Sequence, residues 1–273
     1  MKLHALTLSN VRSWLQPRAQ NANKGDFGRV LVVGGDYGMP GAVRLTAEAA
    51  ARTGAGLVTV ATRPEHVMST VSMRPEILCY GLNDNSILPE LIYHATVIVI
   101  GPGLGRSAWS KELFAQTLDG DKPLLVDADG LNFVTGSRAQ RILTPHPGEA
   151  AGLLGVTVAQ IQSDRELACL NLQQRYGGVI VLKGKHTLIA AQDMPLVYCP
   201  AGNPGMASAG MGDLLSGIIA GLLAQGLSLH HAAQAGVMIH ATAGDRVAQQ
   251  HGERGLLASD LLAELPALLN EPS

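Results

Sequence analysis

The chain has 273 residues, 47% hydrophobic and 15% charged, with 20 Lys and Arg against 22 Asp and Glu for a formal net charge of -2. This much apolar side chain excludes an intrinsically disordered polymer, and the near-balanced charge offers no basic field for nucleic acid or an anionic membrane surface. An aromatic content of 4% leaves few base-stacking platforms, and the widely spaced Cys79, Cys169 and Cys199 suit buried small side chains rather than a disulfide framework or a metal site.

Residues 1–24 read as a polar N-terminal arm with one short helix around Val11–Leu15, and residues 25–273 as a single domain. The start of the chain lacks the apolar core of a secretory signal, and no apolar run reaches the length of a membrane span, so a cytoplasmic location is expected. Arg29–Val33 is an apolar run that ends at Gly34-Gly35, as a strand buried on both faces would. The alanine-rich Ala42–Thr53 reads as a helix stopped by Gly54, and Leu57–Ala61 as the next strand, giving a parallel pair with a right-handed crossover. Strands at Thr96–Ile100, Pro123–Val126 and Arg141–Leu143 alternate with helices at Ala108–Leu118, Gly148–Leu154 and Val158–Tyr176. Val179–Lys183, His186–Ala190 and Leu196–Tyr198 read as strands, the last two as a hairpin, before helices at Gly212–Gln225, Leu229–Gln249 and Ser259–Leu269. This alternation predicts an α/β fold, a mostly parallel sheet with helices on both faces, and a ligand site beyond the carboxyl ends of the strands.

Five loops that follow strands carry the chemistry. Gly202–Gly212, with Asn203 and Gly210, is a glycine-rich loop entering an apolar helix. Its backbone can approach an anion closely, and the first helical N–H groups are free donors carrying the positive end of the dipole. Asp213 stands at the mouth of that site, where a carboxylate can cap the helix or take a proton from a hydroxyl nucleophile. No Gly-Lys-Ser/Thr follows the glycines, so this is not a Walker loop. Gly101-Pro102-Gly103-Leu104-Gly105 follows a strand without dinucleotide-fingerprint spacing and reads equally as a turn or a ligand contact. Asp127 and Asp129 end another strand, where they could bind a Mg²⁺-nucleotide through water or form an Asx-type turn. Thr144–Glu149 fixes His146 between two prolines, with Glu149 in the first turn of a helix. Lys183-Gly184-Lys185-His186-Thr187 is a basic strand-to-strand turn with donors for nucleotide phosphates. His240 reads as a satisfied helix histidine, and no cluster of histidines has metal spacing.

Together, Lys24–Arg29, Gly101–Gly105, Asp127–Asn132, Thr144–Glu149 and Asn203–Asp213 resemble the ADP-dependent NAD(P)H-hydrate dehydratases of the ribokinase-like superfamily, over about residues 24–270. The resemblance implies a repair lyase that returns the S-form of hydrated NADH or NADPH to the intact cofactor. It consumes ADP, or ATP in eukaryotic members, with Mg²⁺ carried on the nucleotide and possible help from Glu149. It implies that Ala42, Gly103, Gly105, Asn132, His146 and Asp213 contact the hydrate, with Asp213 as the catalytic base. It further implies that Lys183, Gly184, Lys185, His186, Thr187, Asn203, Gly210 and Gly212 contact the nucleotide. The family often carries a fused epimerase domain; the short segment ahead of the match suggests the dehydratase alone. A homotetramer is expected, and the helix from Ala42 to Ala51 would suit either a partner or a core. Two other readings stand beside this one: a small-molecule kinase of the same fold, of the hydroxymethylpyrimidine or hydroxyethylthiazole type, and a nucleotide-binding sensor without catalysis.

Overall fold

The structure is a computed structural model that describes residues 3–72, 74–118 and 120–271. The first half of the chain contributes β1 (His4–Ala5), α1 (Leu8–Arg12), β2 (Arg29–Val33), α2 (Pro40–Thr53), β3 (Leu57–Thr62), α3 (Val67–Val71), β4 (Leu78–Gly81), α4 (Leu88–His94), β5 (Val97–Ile100), α5 (Ala108–Thr117) and β6 (Leu124–Val126). The second contributes β7 (Arg141–Leu143), α6 (Pro147–Leu154), α7 (Val158–Ser163), α8 (Arg165–Tyr176), β8 (Val179–Leu182), β9 (Leu188–Ala191), β10 (Val197–Tyr198), α9 (Met211–Ala224), α10 (Leu229–His251) and α11 (Leu265–Asn270). The strands join into one ten-stranded sheet in the order β1-β10-β9-β8-β7-β6-β5-β2-β3-β4. From β4 to β8 every pair is parallel; β9 runs antiparallel to both β8 and β10.

The period of two along each strand divides the core into layers. Val30, Val32, Val58, Val60, Val97 and Val99 face a layer made by α2, α9 and α10. Leu31, Val33, Ile98, Ile100, Leu124 and Val126 face the opposite layer, with Leu88, Leu113, Phe114, Ala150 and Leu172 from α4, α5, α6 and α8. Both faces are therefore covered, which is why these strands read as unbroken apolar runs. α2 lies directly on α9: a Cβ on Gly217 would come 2.2 Å from the carbonyl oxygen of Thr46. Its alanines Ala47, Ala49 and Ala50 are buried in that layer, so the helix belongs to the core rather than to a free face.

Four details differ from the sequence reading. The N-terminal arm is built into the fold: β1 pairs in parallel with β10, and Leu6 and Val11 are buried. The helix expected over Val158–Tyr176 is two, α7 and α8, broken at Asp164, whose non-helical backbone lets its carboxylate cap α8 by accepting from Leu167 N at 2.9 Å. The helix expected over Ser259–Leu269 is a 3-10 turn, Ala258–Ala263, followed by α11. β4 extends the sheet beyond β3, and α3 and α4 join it to its neighbours; none of the three was expected. Among the described residues no helix is long and apolar enough to cross a membrane.

Candidate active site

Parallel strands deliver their following loops to one rim, and the segments after β2, β5, β6, β7 and β8 all lie there, together with the start of α9. The central feature is a buried ion pair. Asp127 at the end of β6 is 1% exposed and accepts from Lys183 Nζ at 2.7 Å and from Ser216 Oγ of α9 at 2.8 Å. Burial alone would raise the Asp127 pKa, but the Lys183 charge and hydrogen bond outweigh it and hold the carboxyl low. Burial opposes the ammonium as well, and Asp127 and Glu149 together overcome it, so Lys183 stays protonated. Asp127 makes no Asx-type cap on the turn that follows it, and its carboxylate is instead a charge anchor linking β6, β8 and α9. Gly101 permits this packing, because at φ +123° its missing Cβ would stand 1.8 Å from the Asp127 carbonyl oxygen.

Asp213 occupies the first turn of α9, whose N-cap, Gly210, adopts the left-handed conformation and offers no side-chain cap. The leading amides of the helix therefore keep their donors for an external acceptor. Asp213 does not cap the helix itself. Burial, then the neighbouring charge of Asp127, push its pKa up to about 7; Lys183 works in the opposite direction. A carboxylate poised near neutrality is suited to accept a proton in one step and release it in the next. Lys183 Nζ lies just beneath the helix start, 3.2 Å from where a Cβ on Gly212 would stand.

Around Asp213 the residues expected to touch the hydrate form one continuous rim. Thr46 Oγ1 donates to the backbone carbonyls of Ala42 and Asp213, both at 3.0 Å, which ties the start of α2 to the first turn of α9. Gly103 follows, its carbonyl accepting from Asp36 N at 2.6 Å, and Gly105 N donates to Asp129 Oδ2 at 3.0 Å. His146 is the N-cap of α6: its Nδ1 accepts from Gly148 N at 2.9 Å and Glu149 N at 3.2 Å, while Glu149 Oε2 accepts from His146 N at 2.7 Å. With Nδ1 accepting, the ring N–H is at Nε2, which stands 3.4 Å from Glu149 Oε1. Asn132 lines the same cleft as His146 and donates to the Asp129 carbonyl at 2.9 Å.

The residues expected to touch the nucleotide divide into two groups. The Lys183–Thr187 turn is held from behind by Arg165, which donates to the carbonyls of Leu182 and Lys183 at 3.2 Å and to that of Lys185. Lys185 and His186 remain exposed, and Thr187 Oγ1 closes the turn on the Gly184 carbonyl at 3.0 Å. Asn203 caps a 3-10 turn by accepting from Gly205 N at 3.0 Å. Its Nδ2 donates to Asp245 of α10 at 2.9 Å, and Gly202 N donates to the same carboxylate at 2.9 Å. Asp245, Thr46 and Ser216 thus brace the loop and helix that present Asp213, and nothing in their local sequence marks them. His240, expected to be satisfied, has no partner for its buried Nε2. Burial, then Lys183, depress its pKa to about 4, so the ring is neutral.

Mg²⁺ finds no ready cage here: among the described residues no three His, Cys, Asp or Glu groups converge on a point that could hold a metal ion. Glu149, beside Lys183 at 3.9 Å and raised in pKa by burial first, is a carboxylate on the same rim as the start of α9. That donor set fits Mg²⁺, which retains waters and takes one or two carboxylates alongside phosphate oxygens.

A family model described as NAD(P)H-hydrate dehydratase matches residues 30–267. The bifunctional NAD(P)H-hydrate repair enzyme of Coxiella burnetii is 57% identical over 94% of this chain and 53% of its own length. The chain thus spans about half the length of the first curated relatives it matches. The ADP-dependent (S)-NAD(P)H-hydrate dehydratase of Neisseria meningitidis is 39% identical over 89% of this chain and 86% of its own. The crystal structure of the ADP/ATP-dependent NAD(P)H-hydrate dehydratase of Bacillus subtilis, co-crystallised with ATP and Mg²⁺, superposes with a TM-score of 0.88 at 30% identity, covering 98% of each chain. Escherichia coli phosphofructokinase-2, at 15% identity and a TM-score of 0.61, shares the fold alone. The chain belongs to the NAD(P)H-hydrate dehydratase family.

Proposed function

We propose that this chain dehydrates the S-form of NADH or NADPH hydrate at the expense of ADP, releasing AMP and phosphate. The observation that carries the proposal is Asp213, a half-buried carboxylate with its pKa raised to about 7 and set at an uncapped helix start. Hydroxide is a poor leaving group, so the hydrate must be activated first. Asp213 takes the proton of the ring hydroxyl as its oxygen bonds to the terminal phosphorus of ADP and the bridging P–O bond to AMP breaks. The amides from Ala209 to Gly212 hold the charge that grows on the transferring phosphoryl oxygens. Lone-pair donation from the ring nitrogen then expels phosphate from the carbon, and loss of the adjacent ring proton restores the reduced nicotinamide.

In this reading Ala42, Gly103, Gly105, Asn132 and His146 orient the hydrated ring, with His146 Nε2–H as a donor. The Lys183–Thr187 turn, Asn203, Gly210 and Gly212 seat the nucleotide. Bound Mg²⁺ would neutralise phosphate charge, with Glu149 as its protein contact. Lys183 acts from below, fixing Asp127 and biasing the helix start toward anions. We place the reaction in the cytoplasm, where reduced cofactor and ADP are both substrates at hand, and expect a homotetramer. The exposed Met68, Leu78 and Tyr80 around the β4 edge supply apolar surface for self-association.

Phosphorus NMR of a completed reaction separates this chemistry from that of a kinase with the same fold. AMP and inorganic phosphate should appear in equal amounts with no phosphate ester persisting. An accumulating ester, or hydrate consumed without AMP, would contradict the proposal.

A further inference from the structure

Beyond Gly105, where the loops after β2, β3 and β5 meet, stands a charged cluster that the proposed reaction does not use. Asp36 follows β2 and is 9% exposed. Its Oδ1 accepts from Arg63 Nε at 2.7 Å and from Tyr37 N at 2.9 Å, and its Oδ2 from Ser107 Oγ at 3.1 Å. Burial alone would raise the Asp36 pKa, but the Arg63 bond first, then the Tyr37 amide, outweigh it and hold the carboxyl below its ordinary range. Arg63 directly follows β3, and its guanidinium lies over two rings, 3.9 Å from the Trp109 centroid and 4.6 Å from that of Tyr37. Trp109 Nε1 is buried without a hydrogen-bond partner, so packing and the guanidinium, not a polar contact, hold that indole in place.

The cluster grips loops that carry three of the expected hydrate contacts. Asp36 N donates to the Gly103 carbonyl at 2.6 Å and Gly35 N to that of Pro102 at 3.0 Å. The Asp36 carbonyl accepts from Met39 N at 2.9 Å, just ahead of α2. Gly105 has φ +70°, and a Cβ there would stand 3.0 Å from Asp36 Oδ2. A Cβ on Gly103 would stand 2.8 Å from Met39 Cβ and 3.1 Å from Ala42 Cβ. The spacing of Ala42, Gly103 and Gly105 thus passes through one carboxylate, and Arg63 fixes that carboxylate. Among the described residues, no hydrogen bond of Asp36 or Arg63 reaches the Lys183–Thr187 turn or the 202–212 loop.

We propose that Asp36 and Arg63 are positioning residues for the hydrate. Arg63, stacked on Trp109 and Tyr37, holds Asp36, and Asp36 sets Ala42, Gly103 and Gly105 against the hydrated ring. The assignment rests on the proposed function for its choice of ligand. The planar fork of arginine matters as well as its charge, because stacking keeps Nε directed at Oδ1, which an ammonium on a flexible stem does not reproduce. The pair acts on the hydrate and leaves the phosphoryl donor alone.

Steady-state kinetics of the full chain test it, with hydrate varied at saturating ADP and then ADP varied at saturating hydrate. Asp36→Asn should raise KM for the hydrate about tenfold or more, the usual order for losing a charge-assisted hydrogen bond. KM for ADP should stay within about twofold. Arg63→Ala should show the same split, and Arg63→Lys should recover only part of the loss. Tyr37→Leu removes one ring of the stack at an exposed position and should raise the hydrate KM about two- to fivefold; it decides the matter if the other variants do not fold. A merely structural pair would lower kcat with both KM values unchanged, and that result would overturn the proposal. So would an equal rise in both KM values. Wild type that restores no hydrate would defeat the proposed function. The positioning role would then be judged on affinities of the same variants, with NADH fluorescence expected to weaken and calorimetric titration of ADP to hold. Turnover by wild type with no split in the variants would defeat the positioning role alone.

Discussion

Asp213 gathers the effects that raise a carboxyl toward neutrality, partial burial and a crowd of like charges, against one cation beneath. Removing a general base costs on the order of 10²–10⁴-fold in rate, so Asp213→Asn should lose turnover on that scale while binding ADP as wild type does. Near-normal turnover would remove the residue from the chemistry. With its pKa near 7, the wild-type kcat/KM for hydrate should fall tenfold per pH unit below that value. A flat profile from pH 5 to 8 would exclude Asp213 as the base. The same shift carries a stability consequence. The folded carboxyl holds its proton more tightly than the unfolded one, whose ordinary value is 3.8. Its contribution is therefore greatest at low pH and is lost as pH rises from about 4 to about 7. Asp213→Asn should accordingly melt above wild type at pH 8 and close to it at pH 4, measured by calorimetry. The glycine-rich loop and its aspartate were legible in the sequence because their signals are local. The bond from Lys183 to Asp127 was not, since it joins residues far apart in the chain that only strand order brings together. His240 likewise looked like an ordinary helical histidine, and its unpaired nitrogen depends on what packs over it.

Among the elements, β6, β8 and α9 share a lock: Asp127, Lys183 and Ser216 each come from a different one. Lys183→Met would leave the Asp127 charge buried and unpaired, at a cost of about 3–5 kcal/mol. Adding Asp127→Asn should return much of that stability without restoring activity. Chemical denaturation checks this, and a single variant as stable as wild type would show that the pair bears no strain of burial. α9 depends equally on its contact with α2. Gly217→Ala places a methyl group against the Thr46 carbonyl and should cost about 1–3 kcal/mol by overpacking. Because α9 carries Asp213, kcat should drop with it; unchanged denaturation and rate would mean that the two helices yield freely. The elements that sequence reading recovered are those with strong periods, such as β2, β5 and β8, whose apolar runs reflect cover on both faces. β4 was missed because it is a short edge strand with alternating exposure, ending in glycine, and β1 because two residues carry no period at all. The break at Asp164 has neither glycine nor proline to announce it; the cap itself makes the break.

In the whole molecule, a parallel sheet covered on both faces collects its loops at one rim, and in the proposed reading the nucleotide and the hydrate approach Asp213 from opposite sides of that rim. The fold class was legible because alternating strands and helices leave few topologies. The order in which the loops stand along that rim was not, because it follows from the order β8-β7-β6-β5-β2 in space rather than in sequence. The proposed reaction needs such a rim, because it brings two substrates to one carboxylate. The most direct trial mixes the purified chain with acid-prepared NADH hydrate, Mg²⁺ and ADP, and follows the absorbance of reduced nicotinamide, with Asp213→Asn alongside. Absorbance should recover with wild type, require the nucleotide, and be nearly absent with the variant. No recovery by wild type with either ADP or ATP, or equal recovery by both proteins, would contradict a dehydratase built around Asp213.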